Sequence, residues 1–186
     1  TVTILGTTLA HTSNHALSLP ALSNNDVTIQ GLAAAGGPSH SGIEVTGDIA
    51  NSVVTISDFD LSGNKGLKTL ALTDSTLRMS SGTLASGNSH ALLLGHLASL
   101  TNTEVALVDV SVTSAQWAMH FEDGTNSKYS VTGGKIVATT LGVFFNFLHD
   151  TPVTVSGVTV ELTAGSASVS LVEAVTGTSP IVFRDI

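Results

Sequence analysis

The feature that most constrains this chain is an internal repeat of about 25 residues. The segment 153–160 reads Val-Thr-Val-Ser-Gly-Val-Thr-Val, in which apolar residues alternate with others and a bend interrupts the alternation. Its first apolar position recurs at Val2, Val27, Val54, Leu77, Val105, Tyr129, Val153 and Ile181. Its second apolar position recurs at Ile4, Ile29, Ile56, Met79, Leu107, Val131, Val155 and Phe183. Such self-similarity is typical of repeat proteins, in which each unit buries its apolar face against neighbouring units.

Two further features recur in phase with this motif. A small residue followed by an apolar residue and then, two positions on, usually another apolar residue begins about half a repeat later, at Ala16, Gly42, Gly66, Ala91, Ala118, Gly142 and Ser168. The bend position is mostly occupied by residues that tolerate left-handed backbone, namely Gly6, Gly31, Asp58, Ser81, Asp109, Gly133 and Gly157. Because the features keep the same spacing in every copy, we expect successive units to pair in parallel, strand upon strand.

The sequence therefore predicts an all-β fold, a right-handed parallel β-helix of about seven coils with about 25 residues per coil. The first strands should start near residues 2, 27, 54, 77, 105, 129 and 153. The right-handed sense follows from the usual chirality of parallel crossovers. An antiparallel β-sandwich also has short alternating strands, but it does not need one motif in constant phase.

The amino-acid composition argues against several classes of function. The 186 residues include six Lys and Arg, fourteen Asp and Glu and no Cys, and the net charge is −8. So few cations argue against nucleic-acid binding, and the lack of Cys excludes disulfide scaffolds and thiol chemistry. No apolar run approaches the roughly 18 residues of a membrane span, so we expect no membrane insertion of this segment. Residues 1–186 should form a single β-helix segment, and both ends fall within a repeat, which suggests a slice of a longer protein.

Three segments carry a resemblance to a known family: residues 76–95 (TLRMSSGTLASGNSHALLLG), 128–146 (KYSVTGGKIVATTLGVFFN) and 152–171 (PVTVSGVTVELTAGSASVSL). This pairing of motifs resembles the pertactin-like β-helical passenger domains of Gram-negative autotransporters. The resemblance implies secretion to the bacterial cell surface and a role in adhesion and virulence, in self-association, or as the stalk of a protease. We therefore expect a non-catalytic adhesin or self-association scaffold. Its partner would be a host cell-surface or matrix protein, a glycan, or another copy of itself.

The alternative class is a polysaccharide-active β-helix enzyme of the pectate-lyase type. Such chemistry needs clustered carboxylates, and the candidates are Asp58 with Asp60 and Glu122 with Asp123. Asp58 sits in the bend position, where Asp forms corners. Glu122 and Asp123 precede Gly124 and lack the spaced oxygen ligands of a calcium loop. The seven His residues show no metal-ligand spacing. We expect no catalysis, no metal and no cofactor.

The best functional clue is the uneven placement of aromatic residues, since six of the eight fall between residues 117 and 147. Alternation directs Phe121 and Phe145 into the core and Phe144 outward. The candidate binding surface is therefore an outward row of residues in consecutive coils, with one aromatic beside it: Leu93, His120, Phe144 and Trp117. The corresponding outward residues of the other coils are polar. The alternative is that residues 146–152 cover the row as a packed loop. If His120 is central to contact, attachment should change between about pH 5.5 and 7.

Overall fold

The computed structural model describes residues 1–164 and 167–186. Over these residues the chain is all-β, with no helix, and its strands stack as a β-solenoid of about seven turns. Every strand pairing found in the described residues is parallel, so the antiparallel sandwich is wrong. The solenoid follows from the sequence because each short strand has one apolar face, which only the neighbouring coils can complete.

A first sheet contains the opening strand of each coil. These strands are β1 (Val2–Leu5), β5 (Asp26–Gln30), β9 (Val53–Ser57), β13 (Thr76–Ser86), β16 (Glu104–Ser114), β19 (Lys128–Thr132), β22 (Val153–Ser156) and β25 (Ile181–Arg184). The second strands of the coils continue the same sheet as β2 (Thr8–Ala10), β6 (Ala33–Ala35), β10 (Asp60–Gly63), β20 (Lys135–Ala138) and β23 (Thr159–Leu162). Strands β13 and β16 run through both positions without a break.

A second sheet closes the coil. Its longer strands are β3 (Leu17–Leu19), β7 (Ser41–Val45), β11 (Lys65–Lys68), β14 (His90–Leu94), β17 (Trp117–Phe121), β21 (Leu141–His149) and β24 (Ala167–Thr176). Its shorter strands are β4 (Leu22–Ser23), β8 (Ile49–Ala50), β12 (Leu72–Thr73), β15 (Leu100–Thr101) and β18 (Gly124–Thr125).

The register confirms the predicted repeat. The first apolar position forms one continuous ladder of paired residues from Val2 through Tyr129 to Ile181. The second motif forms its own ladder from Leu17 to Val169. The seven first strands begin within one residue of the predicted positions. Because the alternation fixes which residues face inward, the arrangement that pairs equivalent residues of successive coils is the one that buries the inward apolar side chains.

The coils turn at residues with left-handed backbone. All seven predicted bend positions have positive φ, including Asp58 at 52° and Ser81 at 53°, which confirms that prediction. A second bend column lies at the opposite corner, with φ between 48° and 55°, at Asn24, Asn51, Asp74, Asn102, Asn126 and Asp150. Asn and Asp adopt this conformation more readily than other side chains because they hydrogen-bond locally.

A ladder of buried hydroxyls follows the second bend column, at Ser52, Ser75, Thr103, Ser127 and Thr151. Each hydroxyl donates to the carbonyl two residues earlier. Four of them also accept an N–H from the preceding coil, as when Thr103 N donates to Ser127 Oγ at 3.0 Å. The ladder therefore satisfies backbone groups that the corner would otherwise bury unpaired.

The interior is apolar along its length and carries an aromatic stack near its middle. Phe121 and Phe145 are fully buried with ring centroids 5.0 Å apart, which confirms that they stack inside the coils. Tyr129 lies 5.1 Å from Phe121 across the interior. In the part of the chain that the structure describes, no helix has the length and hydrophobicity needed to cross a membrane.

Candidate functional site

The candidate residues lie on the outer face of the second sheet. The register pairs Leu93 with His120 and His120 with Phe144, so the three form a row across β14, β17 and β21, as predicted. Leu93 and Phe144 are buried but lie outside the interior hydrophobic cluster. Trp117 begins β17, so it stands beside this row rather than within it.

The row faces outward but is not open to solvent. Leu93 is 2% exposed, Phe144 5% and His120 9%. The cover comes from packed rings: Trp117 lies 4.9 Å from Phe144 and 5.5 Å from His120, centroid to centroid. His90 lies 4.9 Å from Trp117 and 5.1 Å from His120. Residues 146–149, expected as part of a covering loop, belong to strand β21 instead.

A cavity of about 270 Å³ opens beside these rings, and we call it the second-sheet groove. It is lined by three imidazoles, three apolar side chains and three other polar side chains: His90, His96, His120, Leu93, Leu97, Trp117, Lys65, Ser89 and Glu122. The groove thus brings together three of the four predicted residues, while Phe144 packs against Trp117 and His120 from the next coil. A concave site with aromatic and apolar walls and a few polar groups is typical of ligand-binding pockets.

Sequence reasoning missed most of the groove lining. His90 could have been found, because it pairs in register with Trp117 and so extends the same face. Leu97 could not, because it lies in the irregular turn between β14 and β15. It is 87% exposed and has φ of 60°, a conformation that is strained for a bulky side chain. This exposed leucine forms part of the groove rim.

The groove favours the neutral form of the His90 and His120 imidazoles at physiological pH. Burial lowers the pKa of both His90 and His120 to about 4. Repulsion from His120 adds to the lowering for His90, and repulsion from His96 adds to it for His120. The pKa of Glu122 is raised, mainly by burial and then by the neighbouring Asp123 charge, whereas a hydrogen bond from Asn146 opposes the shift. A pH effect centred on His120 is therefore expected below the window of about pH 5.5–7 that the sequence suggested.

Several polar atoms of the groove lack partners. Among residues 1–164 and 167–186, Nε2 of His90 and both ring nitrogens of His120 are buried and accept or donate no hydrogen bond. We call these the three free ring nitrogens. Nε2 of His120 lies 3.6 Å from Oε1 of Glu122, a loose contact, while Nδ1 of His90 is 2.8 Å from Ser89 Oγ. Buried polar atoms without partners cost folding free energy, and three of the five such atoms found in the described residues lie at this site, which favours a role in binding.

The same sheet becomes polar in the earlier coils. Lys68 Nζ lies 2.8 Å from Glu44 Oε1, and His15 Nε2 contacts the other oxygen of this carboxylate. His15 also accepts the N–H of Ser41 through Nδ1. The ring of His40 packs edge-on against His15 at 4.9 Å. The outward positions in register with Leu93 are thus charged and paired at Glu44 and Lys68, and they become apolar and aromatic from Leu93 onward.

The carboxylates considered for catalysis fall on different sheets. Asp58 occupies a bend of the first sheet and accepts a hydrogen bond from Gln30, and Asp60 accepts one from Thr83. Glu122 and Asp123 follow β17 on the second sheet, where Asn146 donates to both. Within the described ranges, no three His, Asp or Glu side chains come together in a way that could hold a metal ion.

Comparison of the chain with protein-family models, curated proteins and solved structures finds no significant match. The autotransporter resemblance therefore depends on the sequence motifs together with the β-solenoid fold, and it remains a hypothesis.

Proposed function

We propose that this chain is a non-catalytic scaffold for cell-surface adhesion or self-association, secreted to the bacterial surface in the manner of the pertactin-like passenger domains that it resembles. The observation that carries the proposal is the second-sheet groove, where an outward column that is otherwise polar becomes apolar and aromatic in three consecutive coils. Its partner would be a host protein, a glycan or another copy of the chain.

The scaffold supports this proposal because it holds the groove on rigid elements. His90 and Leu93 lie on β14, and Trp117 and His120 lie on β17, two strands paired in register. Beneath them, the Phe121–Phe145 stack and the hydroxyl ladder tie adjacent coils together. A site on paired strands is positioned more accurately than one on loops, which favours recognition without large rearrangement.

The groove also supports the proposal because it contains features that lower the stability of the folded state. It contains the three free ring nitrogens and the strained, exposed Leu97. Local strain and unsatisfied polar groups are features that concentrate at binding sites. Outward strand positions elsewhere on this face carry polar residues such as Glu44 and Lys68, which form an ion pair.

The test is a double substitution, His120→Ser with Phe144→Ser, in the protein displayed on bacterial cells. Attachment to host cells and clumping between bacteria should fall, because the groove loses its wall and its imidazole. The matched control is Lys135→Ser with Glu161→Ser, which removes an exposed ion pair of 3.0 Å on the first sheet and should change neither property. Unchanged attachment and clumping in the folded groove variant would contradict the proposal.

Because Phe144 and His120 are buried, that variant must be shown to fold by circular dichroism and thermal melting. A second variant, Leu97→Asp, alters the rim at a highly exposed position and should leave the packing intact. It should also weaken attachment. The competing enzyme hypothesis makes a separate prediction: turnover of a pectin-like polymer that is abolished by alanine at Asp58, Asp60, Glu122 or Asp123 would overturn the non-catalytic assignment.

A further inference from the structure

We propose that the second-sheet groove binds one uncharged pyranose residue of a glycan, with Trp117 as its apolar wall and the imidazoles of His90 and His120 as hydrogen-bonding partners for its hydroxyls. This inference rests on the proposed function, since the glycan would be the partner that the scaffold recognises.

The size and lining of the groove limit the ligand. Its volume of about 270 Å³ is slightly below the roughly 300–1,000 Å³ of pockets for drug-sized molecules, which suits about one sugar ring. Leu93, Leu97 and Trp117 provide apolar surface, and Ser89 adds a hydroxyl at the edge. A pyranose has the same mixed character, with apolar C–H faces and a polar rim of hydroxyls.

The three free ring nitrogens select for hydroxyls. A neutral imidazole has one nitrogen that donates and one that accepts. Both nitrogens of His120 are unpaired and shielded from solvent within the described part of the chain, so a ligand that reaches them by shifting the covering side chains must supply both an acceptor and a donor. A hydroxyl supplies both functions. A carboxylate or phosphate only accepts and an ammonium group only donates, so either would leave one nitrogen of His120 unsatisfied.

The charges around the groove favour an uncharged sugar. Lys65 and Glu122 contribute one charge of each sign to the lining, and burial keeps His90 and His120 neutral with a pKa of about 4. The whole chain carries a net charge of −8, which disfavours sialylated or sulfated glycans. The same net charge opposes the close approach of a second copy, so the groove chemistry favours glycan over self-association.

The 186-residue chain provides a direct assay because Trp117 is its single tryptophan. The experiment titrates the methyl glycosides of glucose, galactose, mannose and N-acetylglucosamine and follows tryptophan fluorescence. At least one glycoside should produce a saturable change in emission. The absence of a saturable response to all four would overturn the inference, and this readout needs no variant to fold.

Substitutions then locate the contact. His120→Phe and His90→Phe keep a ring but remove the nitrogens, and each should weaken glycoside binding about tenfold or more. Trp117→Leu should abolish binding as measured by saturation-transfer NMR. The matched control is His149→Phe, the same chemical change at a half-exposed position of β21 outside the groove, which should bind as wild type does. Binding by folded His120→Phe at wild-type strength would overturn the inference.

Sedimentation separates the failure of this inference from the failure of the proposed function. A dimer that Leu97→Ser dissociates, with no glycoside response, would overturn the sugar site but leave self-association intact. Cell attachment that depends on the groove and persists without glycoside binding would likewise overturn only the sugar site, because a protein partner would then account for adhesion.

Discussion

Gly82 shows how closely single residues are constrained inside the solenoid. It lies on β13 beside Phe59, a buried side chain that follows the bend at Asp58. A Cβ added at Gly82 would lie 2.5 Å from Cγ of the Phe59 ring, a separation that real side chains do not tolerate. The glycine here is therefore required by close packing rather than by backbone conformation, because its φ is not in the left-handed region.

Gly82→Ala should destabilise the protein by about 1–3 kcal/mol, since the methyl group overpacks the core. Urea unfolding monitored by circular dichroism measures the change. Gly87→Ala is the matched control, because a Cβ there meets no described atom within 4 Å and φ is again not positive. It should leave stability unchanged or raise it slightly. Combining Gly82→Ala with Phe59→Leu should recover part of the lost stability. Equal stability of Gly82→Ala and Gly87→Ala would contradict the packing argument.

At the scale of the elements, β14 carries a half-buried imidazole and β17 a buried one, and protonation of either opposes folding. Burial lowers the pKa of His90 and His120 to about 4, below the ordinary histidine value of 6.5. Between these values the unfolded chain binds more protons than the folded one. The free energy of unfolding should therefore fall as the pH is lowered from about 6.5 to about 4, and for these two groups it should level off below that range.

Three other titratable groups line the same groove and belong in this account. The pKa values of Lys65 and His96 are also lowered, mainly by burial. Glu122 acts in the opposite direction, because burial raises its pKa and protonation therefore stabilises the folded state in acid. The net acid sensitivity of the groove thus depends on three imidazoles with lowered pKa values outweighing one carboxyl with a raised pKa.

Urea midpoints at pH 7 and pH 4.5 test this expectation. The loss of stability between the two values should be smaller for His120→Phe than for wild type, because one buried titrating group is gone. His149→Phe, outside the groove, should retain the wild-type loss. Equal losses for wild type and His120→Phe would show that the imidazole of His120 does not contribute to acid sensitivity.

The elements also show which parts of the structure the sequence could reveal. The ladders through Val27 and Leu92 were predictable, because period-two alternation and a constant repeat leave one register that buries the inward apolar side chains. The second bend column was overlooked, although its recurring Asn or Asp before Ser or Thr, as in Asn102–Thr103, is a readable signal. The right-handed sense of the coil stays a prediction from general chirality.

The candidate site was only partly predictable. Leu93, His120 and Phe144 follow from the alternation, and the register places them in one row. Their burial does not follow from it, because the cover depends on how the rings of Trp117 and His90 pack across coils. The groove rim at Leu97 depends on an irregular turn, for which the repeat has no template.

At the scale of the whole molecule, the solenoid is a one-dimensional stack in which each coil contacts mainly its neighbours. Stability should then be local, so that damage in one coil weakens adjacent coils more than distant ones. Phe145 is suited to test this, because it is fully buried and stacks on Phe121 of the preceding coil. The groove lies directly over these coils, so local stability bears on binding.

Phe145→Ala should create a cavity and cost about 3–5 kcal/mol. Amide hydrogen exchange, measured by mass spectrometry, should accelerate most in β17, β19 and β21, and it should change little in β5, β7 and β9 of the earlier coils. The control is Phe144→Ala, which removes a ring of the same size outside the interior cluster and should accelerate exchange less. Uniform acceleration along all strands in Phe145→Ala would mean that the coils unfold as one cooperative unit. If instead each coil depends mainly on its neighbours, a substitution at Phe145 would disturb the groove but leave the polar residues Glu44 and Lys68 of the earlier coils ordered. Binding and folding would then be coupled only through the coils that carry the groove.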